Sequence, residues 1–137
     1  MAGANEQTKL DEILQIKTKI MKLNEKKNQI KDLYDKKFKM NNLNEKIDVN
    51  DLDEKIKLKE DEVGVTVSIE YHHGILHNLV LAELQAAKKG DNKDDIKAKK
   101  AIFDAEKESW TQAAAEATKA QEEMNDLKTK RKDSVCV

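Results

Sequence analysis

The chain has 137 residues, enough for one domain, but 39% are charged and 4% aromatic, so only a thin core can be buried. Its 26 basic and 27 acidic side chains leave a formal net charge of −1, which excludes a uniformly basic nucleic-acid binder. One cysteine, Cys136, excludes an intrachain disulfide framework, and the complete lack of proline favours long helices or coiled coil over a compact α/β domain.

The opening MAGANEQTKL carries no apolar run, so no signal peptide is expected. No low-charge stretch is uninterrupted enough to span a membrane, and Cys136 is misplaced for a prenylation box. A soluble protein, cytoplasmic or held in an assembled particle, is expected. Arg131 is the only arginine, so the planar forks that usually recognise phosphate are nearly absent and nucleic acid is not expected as a partner.

Residues 5–62 read as a first helical arm. Ile13, Ile16, Ile20, Leu23, Ile30 and Tyr34 follow alternating steps of three and four, with Lys27 filling one position, which is an a/d heptad register. After Tyr34 a wider stripe of Leu33, Phe38, Met40, Leu43 and Ile47 fits better. A break is expected near residues 48–50, where Asn50 or Asp51 can cap a further helix to Glu62. Nine lysines between Lys17 and Lys39, against three acids, read as a solvated helix face, since no aromatic or arginine is interleaved.

Residues 63–90 form an apolar joint with only four charged side chains, and they hold all three histidines. Val63, Val65, Val67, Ile69 and Tyr71 alternate with smaller or polar residues, a strand signal. No other segment offers a partner strand, so the stretch either pairs with another copy or another protein or is taken up into a helix, and helix is the preferred assignment. Ile75, Leu76, Leu79, Val80 and Leu84 give a clear helical stripe that ends at Lys88, Lys89 and Gly90. These five, with Trp110, are the expected interface residues. His73 and His77 share a helical face, and Glu70 precedes His73 at the Glu-x-x-His spacing. Three ligands without a second copy do not specify a metal site, so no metal or other cofactor is expected.

Residues 91–132 read as a second long helix, opened by the capping and acidic run DNKDD. Ile96, Ile102 or Phe103, Trp110, Ala113, Ala117, Met124 and Leu127 supply a sparse stripe, alanine-rich in the middle, where a partner helix can approach closely. The helix should fade at Lys128–Lys132, leaving residues 133–137 as a tail.

Glycine-rich phosphate loops, Cys-x-x-Cys, His-Glu-x-x-His and nucleophile elbows are all absent, and Cys136 has no positioned base. The expectation is therefore an all-α, single-domain protein, a long antiparallel helical hairpin or coiled-coil-like bundle of three to four helices. Its expected role is non-enzymatic: a structural or accessory protein of a larger assembly such as a virion, an appendage or a secretion machine. The alternative is a small helical binding module, a chaperone, adaptor or inhibitor. Either acts on protein partners, self or assembly subunits.

Overall fold

The structure, a computed structural model, describes residues 2–38 and 49–135. The described residues are all-α, with three long helices: α1 (Ala2–Phe38), α2 (Val49–Lys89) and α3 (Lys93–Val135). α2 and α3 form an antiparallel hairpin, with Lys99 of α3 paired to Glu83 of α2; α1 lies along α2, also antiparallel, with Lys37 paired to Glu54 near one end and Lys9 and Leu10 beside Glu83 and Ala86 near the other.

The heptad positions of α1 are the ones that face the bundle. Ile13, Ile20 and Ile30 are buried, and Ile16 and Leu23 are partly buried against Val65, Ile69, Leu76 and Val80 of α2. Leu33, expected in a wider stripe, is exposed, because the narrow seam continues to Tyr34 and leaves Leu33 on the far side. Met40, Leu43 and Ile47 lie outside the described residues, as does most of the break expected near 48–50; α2 is already helical at Val49.

Residues 63–89 are not a separate joint. They are the second half of a single 41-residue helix, about 60 Å long at 1.5 Å per residue. The alternating Val63–Tyr71 segment is helical throughout. Its β-branched residues lower helix propensity by only tenths of a kcal/mol each, and burial of Val65 and Ile69 outweighs that. Thr66 returns its hydroxyl to the carbonyl of Glu62 at 2.9 Å, which satisfies the one polar side chain placed against the core there.

The α2–α3 turn departs from a simple glycine stop. Gly90 keeps a tightened bond from its N–H to the carbonyl of Ala87 at 3.0 Å, and Asp91 takes the left-handed conformation with φ 59°. Short acidic side chains tolerate that region better than most. Asn92 then caps α3, its Oδ1 accepting from the amides of Asp94 (3.1 Å) and Asp95 (3.3 Å).

Small residues set the packing of α3. Ala113, Ala117 and Ala120 are buried against the other helices, followed by Met124 and Leu127. Phe103, not Ile102, takes the earlier seam position, and Ile102 stays 46% exposed. α3 does not fade at Lys128–Lys132. No helix breaker occurs there, and exposed Lys128–Glu60 and Arg131–Asp53 ion pairs lie between its last turns and α2.

Among the described residues the interior has two apolar clusters. The larger joins α1, α2 and Ala113 of α3; the smaller contains Leu52, Ile56 and Leu127. Between them on α2 lies a polar layer, the buried Lys59, Glu62 and Thr66.

Candidate functional site

The polar layer is a crossing point of all three helices. Lys59 of α2 donates to Glu62 at 3.0 Å and to Glu123 of α3, and its ammonium lies 4.8 Å from the centroid of the Tyr34 ring of α1. Burial alone would lower the Lys59 pKa, but the hydrogen bonds and charges of Glu123 and Glu62 prevail and hold it above the ordinary lysine range. Burial raises Tyr34 above the usual phenol, and the nearby carboxylates add to the effect against the opposing Lys59 charge. At the rim, Lys27 of α1 donates to Glu116 of α3 at 2.7 Å and holds that carboxyl below its usual range, with Lys31 and Lys119 contributing. A cleft of about 440 Å³ opens here, but its lysines are matched by Asp35, Glu62, Glu116 and Glu123. Through Lys59 and its two carboxylates the layer links α2 to α3, with the Tyr34 ring of α1 against the ammonium.

The histidines also serve packing. His73 donates through Nδ1 to Glu106 Oε1 at 2.7 Å, since a carboxylate can only accept, and both side chains are nearly buried. His72 directs its Nδ1 to the carbonyl of Ser68 at 2.7 Å. His77 is wedged between the rings of Phe103 and Trp110, with centroids 4.9 and 4.8 Å away, and its buried Nδ1 has no partner among the described residues. Glu70, His73 and His77 therefore do not converge, and among the described residues no three His, Cys, Asp or Glu side chains do. No described helix is long and apolar enough to cross a membrane.

The expected interface residues divide. Leu76 (2% exposed), Val80 and Leu84 are committed to the interior, and Leu79 packs at its edge. Ile75 and Trp110 instead line a surface hollow of about 430 Å³ with Val67, Glu70, Tyr71, Gly74 and Asn78. Trp110 forms its floor, its ring 3.5 Å from where a side chain on Gly74 would begin.

That hollow belongs to a larger feature. Between Asp61 and Lys88 every exposed residue of α2 is uncharged: Gly64, Val67, Tyr71, Asn78, Ala82, Gln85 and Ala86. In a chain that is 39% charged, this leaves a face about 30 Å long without a charge at its centre. Its three acids are turned elsewhere: Glu62 to Lys59, Glu83 to Lys99 at 3.1 Å, and Glu70 half-buried at the rim of the hollow. Tyr71 and Val67, 66% and 49% exposed, are the large apolar side chains of the face. By contrast Leu10, Leu14 and Met21 of α1 are exposed among charged neighbours, the ordinary condition of surface apolar residues. Val67, Tyr71 and Asn78 escape a search for apolar stripes, because only one of them is aliphatic. The trace they leave is the missing charge.

Geometry and chemistry thus define a long helical hairpin with a third helix laid along it, and an unguarded outer face on the middle helix. In comparison with known proteins the chain matches no family model, no curated protein and no solved structure.

Proposed function

We propose that the protein acts without catalysis, as a structural or accessory component of a larger assembly, through helix–helix contact on the outer face of α2. What supports this reading is one observation: the exposed side of α2 from Gly64 to Gln85 carries no charge, while the exposed sides of α1 and α3 are crowded with it. Exposed helix faces in a chain this polar are charged by default, and a large uncharged face is the mark of a surface that spends its time covered. Completing the burial of Val67 and Tyr71 stabilises a complex by roughly 1 kcal/mol each, enough to contribute to an interface and too little to drive collapse of the free chain.

The test is native mass by light scattering across a wide concentration range, with helicity followed in parallel. A discrete or growing oligomer supports the assembly reading. A fully helical monomer at every concentration would sink self-assembly and favour a small binding module that offers the same face to another protein.

A further inference from the structure

We propose that the outer face of α2 pairs with the same face of a second copy, antiparallel, about a two-fold axis that passes between Gly74 and Ile75. This rests on the assembly reading above and specifies its first contact. The exposed residues along the centre of the face repeat at helical spacing, and they match end to end about one midpoint. Glu60 stands as far before that midpoint as Lys89 stands after it, and both are exposed. An antiparallel pair therefore sets an acid against a base at each end of the contact. A parallel pair would set Glu60 against Glu60 and Lys89 against Lys89, which repel. Within the copy, Glu60 has an exposed pairing to Lys128 at 3.5 Å, a weak contact that does not compete strongly.

Shape matches in the same register. Val67 falls opposite Ala82 and Gly64 opposite Gln85, so a larger residue meets a smaller one at each step. Tyr71 falls opposite Asn78, beside the hollow floored by Trp110, which leaves room for the phenol ring and gives its hydroxyl an amide partner. The lack of charge matters most near the axis, because residues there meet their own counterparts in the second copy and a charge would repel itself.

The experiment uses the full chain with Cys136→Ser as background. Sedimentation equilibrium should show a monomer–dimer equilibrium, and Tyr71→Glu should remove the dimer without loss of helicity. Glu60→Lys and Lys89→Glu should each weaken the dimer several-fold, and the double variant should recover most of that loss. With oxidised glutathione, Val67→Cys/Ala82→Cys should give a covalent dimer, while neither single cysteine does. The two positions are about 22 Å apart along one helix, so they cannot bridge within a copy. An oligomer that ignores Tyr71→Glu and the charge reversals overturns this interface and leaves the assembly reading standing. A chain monomeric at every concentration overturns both.

Discussion

The indole of Trp110 lies against the backbone of Gly74, with its nearest ring atom 3.5 Å from the place a β-carbon would take. That spacing is ordinary van der Waals contact for one methyl group and leaves no room for more. Gly74 is also helical, with no need for the left-handed freedom of glycine. Gly74→Ala is therefore expected to stabilise the chain by about 0.5–1 kcal/mol, from reduced freedom of the unfolded state. Gly74→Leu should push the indole aside and cost about 1–3 kcal/mol, with a red shift of the tryptophan fluorescence. Chemical denaturation of both variants checks the sign change between them.

Gly64 provides the comparison. Nothing lies within 4 Å of a side chain placed there, so only the backbone contribution remains. Gly64→Ala should add about 0.5–1 kcal/mol of stability, read as a higher denaturant midpoint at unchanged slope.

The α1 seam was legible because its apolar residues meet a strict three-and-four rhythm, and burial follows that rhythm from Ile13 to Tyr34. In the second half of α2 the helix was legible, from the stripe of Ile75 to Leu84 and the lack of a partner strand, although β-branched residues at alternate positions imitate a strand; its continuity with the first half was not. Glycine and histidine in the same stretch suggested a joint; in place, Gly74 makes room for Trp110 while His73 meets Glu106. The candidate face was half legible. Low charge marked the segment, but the sequence drew attention to Leu76, Val80 and Leu84, which the fold itself consumes, and away from Tyr71 and Asn78.

Lys59 joins two carboxylates from two helices in a nearly buried site. Lys59→Met keeps the aliphatic volume and removes the charge, which strands Glu62 in the interior and leaves Glu123 facing it. The expected cost is about 3 kcal/mol. Adding Glu62→Leu should restore part of it, because the stranded charge is then gone; urea unfolding of the single and double variants measures the coupling.

Alkaline pH acts on the same layer. Lys59 and Tyr34 are both raised in the folded chain, so the unfolded chain releases these protons first as pH rises. Their contributions are fully present below the unfolded values, near pH 10, and are lost as pH climbs through the folded ones. Stability should therefore fall above about pH 10, and Tyr34→Phe should make the fall shallower. Absorbance at phenolate wavelengths in Tyr71→Phe, where Tyr34 is the one tyrosine left, should show titration above the ordinary phenol range.

Neighbouring histidines should respond in opposite directions. Glu106 is almost buried and takes its hydrogen bond from His73, so His73→Leu leaves an unpaired carboxylate and should cost about 2 kcal/mol. His77 has a buried nitrogen with no partner among the described residues and packs against the rings of Phe103 and Trp110. His77→Leu removes that unsatisfied group while keeping an apolar filling, and should be neutral or stabilising by up to about 1 kcal/mol. Thermal unfolding of the two variants at one pH decides it. Equal losses would mean that His77 is satisfied in solution, and that its ring holds Phe103 and Trp110 in place by more than shape.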